Sequence, residues 1–258
     1  MDNKIDTSVP HSARTWNYWQ GGKDNYPADR EAGDAYAATA PQVRIMARAS
    51  RQYLIRTVTH LTRDRGIRQF LDIGTGLPTN DNTHEVAQRI APAARIVYVD
   101  NDPIVLAHAE ALLRSTPPGV TAYIDADLHD PETILRRAAD TLDFAQPVAL
   151  MLMGVLGHVQ DHTEAKAIVD RLLSALPSGS YLVHYDGADT DPDLMKAQAD
   201  YDDTGAVPYV LRSPDRIAAY YDGLDLLDPG VVSCPLWRPD PGASPEPTYI
   251  YGGIGRKA

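Results

Sequence analysis

The 258 residues contain a single cysteine, Cys234. It has no partner for an internal disulfide and supplies no thiolate set for zinc, so a reducing compartment fits and no metal is expected. Long apolar runs are missing as well. No stretch of about eighteen apolar residues is available to span a bilayer, and the opening MDNKIDTSVPHSAR lacks the apolar block of a secretory leader. A soluble, cytoplasmic protein is the expectation. Basic charge is also scarce: 24 Lys and Arg against 35 Asp and Glu give a formal net charge of -11, a field that repels polyanions. The basic residues between Arg44 and Arg68 are mixed with Asp64 along an expected helix and read as a solvated face. The expected partner is therefore a small molecule, neutral or cationic, with neither nucleic acid nor membrane. A homodimer is compatible with the sequence.

What is present is a regular alternation. From Phe70 onward, short apolar runs take turns with segments of helical periodicity, which implies an α/β fold with a parallel sheet. The strands are expected at Gln69 to Ile73, Arg95 to Asp100, Val120 to Ala126, Val148 to Met153 and Ser180 to His184. Asp102-Pro103 and Asp130-Pro131 each set a capping acid before a proline that suits a first helical turn. The helices after them carry Val105, Ala109 and Leu112, then Ile134, Ala138 and Leu142, at core-facing spacing. Asn82 with Glu85 makes a variant capping box, and His84 reads as a surface residue. A polar stretch near 189–212 holds an inserted helix opened by Pro192, and Pro214 opens another through Tyr221. Val231 to Trp237 and Thr248 to Ile254, joined by a direct proline-rich loop, must lie antiparallel. Helices at Ala28 to Thr39 and Gln42 to Arg63 precede the sheet, so residues 1–66 read as a helical extension to an α/β domain of residues 67–258.

The first strand runs into FLDIGTGLPTN. A dinucleotide fingerprint needs a third glycine where Thr79 stands, Pro78 removes an N–H donor, and Asp81 adds negative charge where a phosphate would sit. No Gly-Lys-Ser/Thr follows, which excludes a Walker loop. Asp72, Gly74 and Gly76 instead suit a positively charged ligand held beside the backbone. They resemble the acid-x-Gly-x-Gly motif of class I methyltransferases that use S-adenosylmethionine. On that resemblance Gly74 and Gly76 admit the methionine part and Asp72 lies near its ammonium. Asp100, with Asn101 beside it, ends the second strand at about the 20-residue spacing from which a carboxylate reaches ribose hydroxyls. Similarity to the class assigns Asp127 to the adenine amino group and Leu128 to the ring face.

The words SARTWNYWQGGKDNYPADREAG, VYVDNDPIVLAHAEALL and RSPDRIAAYYDGLDLLDPG resemble an actinobacterial family known as S-adenosyl methyltransferase, formerly a domain of unknown function. The resemblance implies a Rossmann-like, seven-stranded, mostly parallel sheet with a C-terminal antiparallel hairpin. It also implies an N-terminal lid. Ser12 caps a short helix ended by Gly21-Gly22, with Tyr18, Gly21 and Gly22 toward the cofactor and Trp16 toward the acceptor. Arg14 or Lys23 meets the cofactor carboxylate, unless they pair with Asp24, Asp29 or Glu31.

Methyl transfer from a sulfonium is an in-line displacement that needs alignment and exclusion of water more than a dedicated base. MGVLGHVQDH puts Gly154 and Val155 at the cofactor and His158 forward as the base candidate. His184, Tyr185, Tyr201, Tyr209 and Arg212 are the candidates for an acceptor pocket. Other chemistry with the same cofactor, such as aminocarboxypropyl transfer or cyclisation, or binding without turnover, remains as the alternative.

Overall fold

The computed structural model describes residues 6–79, 81–112 and 115–258, with the backbone alone for 109–112. The side chains of Ala109 and Leu112 thus lie outside the described ones. Three helices lead: α1 (Ser12–Trp19), α2 (Pro27–Thr39) and α3 (Val43–Asp64). Then β1 (Gln69–Ile73), α4 (Thr83–Ile90), β2 (Arg95–Asp100), α5 (Pro103–Leu112), β3 (Val120–Asp125) and α6 (Pro131–Ala138) alternate. They continue through β4 (Ala149–Met153), α7 (His162–Ser174), β5 (Tyr181–Gly187), α8 (Pro192–Asp202) and α9 (Pro214–Ala218). The chain ends with β6 (Asp225–Leu226), β7 (Val232–Ser233) and β8 (Ile250–Arg256).

Local chemistry marks most helix starts. Asp130 accepts from Thr133 N at 3.0 Å, Asp102 from Ile104 N at 2.8 Å, and Glu85 closes the capping box on Asn82 N at 2.7 Å. For α1 the cap is His11, whose Nδ1 accepts from Ala13 N at 3.3 Å; Ser12 is already helical and does not cap.

The sheet order is β3-β2-β1-β4-β5-β8-β6, with β7 also on β8. β1 to β5 are parallel, and β8 runs antiparallel to β5, β6 and β7. Strand side chains alternate between two apolar layers. Phe70, Tyr98, Met151 and Val183 join Tyr53, Val58 and Leu61 of α3, while Leu71, Val97, Leu150 and Leu182 join α6 and α7. The long helix α3 is thus part of the same core as the strands.

Two expectations are corrected. The sheet has eight strands, because two-residue β6 pairs with the far side of β8. The hairpin keeps its antiparallel sense, with Val232 opposite Gly252, but its first arm stops at Ser233. Pro235, which has no N–H for a ladder, lies in the 3₁₀ turn Cys234–Leu236 that replaces the rest of the arm.

Order β3-β2-β1-β4-β5 puts the topological switch between β1 and β4, where adjacent crossovers leave the sheet in opposite directions and open a crevice at the carboxyl edge. Over it lie α1, α2 and α8. Arg14 Nε meets fully buried Asp29 at 3.1 Å, and Asp29 also accepts from His11 N and Tyr26 N at 2.9 and 2.8 Å. These bonds fasten the start of α1 to α2.

Candidate active site

A cavity of about 340 Å³ follows that crevice, and the ends of all five parallel strands contribute to it. At β1, Gly74 and Gly76 hold left-handed φ of +73° and +65°, a conformation that costs other residues about 1–2 kcal/mol. A Cβ on Gly74 would collide with Val155, whereas a Cβ on Gly76 would meet nothing within 4 Å. The second glycine therefore leaves open space against bare backbone.

Three acids from successive strand ends line the cavity. Asp72, 4% exposed, accepts from Thr83 Oγ1 at 2.6 Å. Burial pushes its carboxyl up to about 6, against the opposing influence of the Thr83 bond and the Arg51 charge. Asp100 accepts Gly76 N on Oδ2 at 2.9 Å and Asp102 N on Oδ1 at 3.0 Å, so each oxygen keeps a lone pair. Burial raises its pKa in spite of those two bonds. At Asp127 burial also pushes upward, but bonds from His129 and Asn101 prevail and the pKa falls below the usual carboxylate value. Leu128 completes this wall.

At the β4 end, Gly154 is again left-handed, with φ +72°, and donates its N–H to Tyr185 O at 2.8 Å. A Cβ there would stand 3.0 Å from the Tyr185 ring. His158 closes a 3₁₀ turn, Leu156–His158, and its Nδ1 is 3.0 Å from Pro208 O. A carbonyl only accepts, so Nδ1 carries the proton and Nε2 of the neutral ring keeps its lone pair. Burial lowers the His158 pKa, which favours that neutral form. The ring lies edge-on to Tyr209 with centroids 5.1 Å apart.

The structure brings Asp72, Gly74, Gly76, Asp100, Asn101, Asp127, Leu128, Gly154, Val155 and His158 to this one cavity, together with Trp16, Tyr185, Tyr201 and Tyr209. Five sequence candidates fall elsewhere. Tyr18 points outward, donating to Asp34 Oδ1 at 2.8 Å beneath the Arg44 guanidinium. Gly21 and Gly22 end α1, and Gly22 packs on the Asn17 side chain. His184 is fully buried beneath the sheet edge, with Nδ1 on Leu152 O at 2.8 Å and Tyr220 against its ring. Arg212, 1% exposed, donates to the carbonyls of Leu156 and Val159 and so braces the turn that carries His158. Arg14, considered for the cofactor carboxylate, is the buried partner of Asp29, and Lys23 is exposed outside the cavity.

Among the lining residues that sequence reasoning missed are Arg51, His129 and His11. Arg51 reaches in from α3, its Nη2 3.0 Å from Asn82 Oδ1; only the tertiary packing of α3 shows it there. His129 could have been flagged as the histidine two residues past the third strand-end acid, where its Nδ1 lies 2.7 Å from Asp127 Oδ1. His11 stands 3.1 Å from Asp102 Oδ2, a proximity across ninety residues that gives no local signal. His84, expected at the surface, is buried against the Tyr98 hydroxyl at 2.9 Å. Among the described residues no helix is long and apolar enough to cross a membrane, and no group of three His, Cys, Asp or Glu is placed to hold a metal ion.

Sheet order, the crossover crevice and its acid-glycine rim define the class I methyltransferase fold. The chain belongs to the S-adenosyl methyltransferase family, whose model matches residues 1–258. It is accordingly an S-adenosylmethionine-dependent methyltransferase by family. A DUF574 family protein of Streptomyces avermitilis is 45% identical, with a TM-score of 0.94 over 99% of this chain and 100% of that one. A Thermobifida fusca protein assigned to the methyltransferases is 40% identical, with a TM-score of 0.90 over 98% and 96%. Human N-acetylserotonin methyltransferase, solved with its S-adenosylmethionine, shares the fold alone at 13% identity and a TM-score of 0.51, over 89% of this chain and 57% of that one. No protein of curated function matches the sequence.

Proposed function

We propose that this chain transfers a methyl group from S-adenosylmethionine to a small-molecule acceptor by in-line displacement, with His158 as the base. The observation that carries the reading is the convergence of Asp72, Asp100 and Asp127, from three adjacent strands, on one cavity beside the open backbone of Gly76. That rim suits a ligand with an ammonium and two ribose hydroxyls and disfavours pyrophosphate. Asp100 would accept the ribose hydroxyls through its spare lone pairs, Asp127 and Leu128 would hold the adenine, and Asp72 the ammonium. Arg51 replaces Arg14 and Lys23 as the group for the carboxylate, since a guanidinium offers five donors and this one lines the cavity near Asp72.

When bound, the cofactor supplies an electrophilic methyl group on a sulfonium. The chain's own residues do the rest. The roof of α1, α2 and α8 excludes water, the Gly154 turn keeps the β4 edge low, and Nε2 of His158 takes the acceptor proton. Asp100→Ala is expected to weaken S-adenosylhomocysteine binding by about 1–3 kcal/mol, the usual worth of hydrogen bonds to a charged group. Calorimetry on the folded variant checks this; unchanged affinity would remove Asp100 from the ribose.

A further inference from the structure

The cavity has more wall than an adenosyl cofactor uses. Strand ends run in the order β3, β2, β1, β4, β5, and the acids assigned to adenine, ribose and ammonium occupy the first three. Met153 and Tyr185 line the cavity from β4 and β5, and aromatic rings of the roof helices join the lining. Trp16, Trp19, Tyr36 and Tyr201 form a continuous chain of rings with centroids 5.6, 5.0 and 6.1 Å apart, and they share an apolar cluster with Met153 and Tyr185. Tyr209 stands at His158.

The hydroxyls of Tyr36, Tyr201 and Tyr209 are already engaged. Tyr36 donates to Gln198 Oε1 at 3.2 Å, Tyr201 and Thr15 share a hydroxyl contact at 3.1 Å, and Tyr209 donates to Asp186 Oδ1 at 2.6 Å. Asp186 itself is fully buried behind Tyr209 and does not line the cavity. With Arg51 given to the cofactor carboxylate, a negative charge brought into the lobe would lose its water without comparable compensation. A flat ring would gain edge-to-face contacts with several others, an attraction beyond what burial alone gives. Nε2 of His158 can receive a polar substituent as an acceptor, because Nδ1–H is committed to Pro208 O.

We infer that the β4–β5 lobe is an acceptor site for an uncharged, planar arene bearing a hydroxyl, its ring against Trp16 and Tyr201 and its hydroxyl donating to His158. The inference deepens the methyltransferase reading and rests on it for the other half of the cavity. Val207, 51% exposed yet part of the lining, marks the mouth through which such a ring enters.

Calorimetry on the full chain saturated with S-adenosylhomocysteine, using naphthol, naphthoate and the saturated decalinol as probes, tests the assignment. Naphthol should bind at least about tenfold more tightly than either of the others. Trp16→Leu, and Val207→Trp at the exposed mouth, should each weaken naphthol by about tenfold or more while S-adenosylhomocysteine affinity stays within about threefold. Naphthoate or decalinol binding as well as naphthol, or no naphthol binding to the cofactor-loaded protein, would overturn it. Failure of S-adenosylhomocysteine to bind would instead overturn the cofactor reading, and the same three probes on the ligand-free protein would then decide the lobe by the same criteria.

Discussion

His158→Ala is expected to slow methyl transfer by about 10²- to 10⁴-fold, the range for losing a positioned general base, with S-adenosylhomocysteine affinity nearly unchanged. The split follows from where the ring sits. Its Nδ1–H is held by Pro208 O at 3.0 Å, so the imidazole of this cavity-lining residue cannot flip without breaking that bond. Burial lowers its pKa, so the neutral, basic form predominates at pH 7. The sign of the pH effect is then fixed. Protonation of Nε2 below the ordinary histidine range removes the base, so the wild-type rate falls on the acid side, and the variant loses that limb of the profile. Single-turnover rates over pH 5.5–8.5, with any acceptor the wild type methylates, check both points. A variant with wild-type rates would remove His158 from the chemistry.

The affinity for S-adenosylhomocysteine should itself depend on pH through Asp72. In the free protein this carboxyl sits at about 6, above its ordinary value of 3.8, chiefly because it is buried. Thr83 on α4, Arg51 on α3 and Asp100 on β2 face it, the first two favouring ionisation and the last opposing it. An ammonium requires the ionised form, so binding below about pH 6 must first release a proton. The dissociation constant should rise roughly tenfold per pH unit below that point and level off above it. Asp72→Asn should flatten this dependence and bind more weakly at pH 7.5.

Linkage gives stability the opposite sense. Because the folded pKa is raised, the ligand-free protein is favoured by Asp72 below about pH 3.8 and loses that contribution as pH rises through about 6, on the order of 3 kcal/mol at 1.36 kcal/mol per pH unit. Chemical denaturation of wild type and Asp72→Asn at pH 5 and 7 separates it from the other carboxylates. An Asp72→Asn protein whose ligand affinity keeps the wild-type pH slope would contradict the assignment.

The sheet was legible wherever short-range chemistry sets the chain. β1 and β2 occupy the expected Gln69–Ile73 and Arg95–Asp100, since each is an apolar run bounded by a turn and an acid. Caps at Asn82, Asp102 and Asp130 were likewise written locally. β6 was not, because a two-residue strand exists only through its pairing with β8, and of the expected arm from Val231 to Trp237 only β7 forms. Alignment of the three acids followed from parallel strands ending at one edge. The N-terminal residues were misplaced for the converse reason. Tyr18 and Trp16 lie two apart on α1 and face different ways, and nothing local distinguishes Trp16, which meets the cavity, from Tyr18, which meets Asp34. Arg14 looked available in the sequence, but in the fold Asp29 claims it.

One titration bears most directly on the claim that a carboxylate-rimmed cavity selects an adenosyl ligand with an ammonium over a phosphorylated nucleotide. Calorimetry of the intact protein at pH 7.5 should show saturable heat with S-adenosylhomocysteine, lost or weakened in Asp100→Ala, and none with NAD. Saturable binding of NAD with no heat from S-adenosylhomocysteine would contradict it.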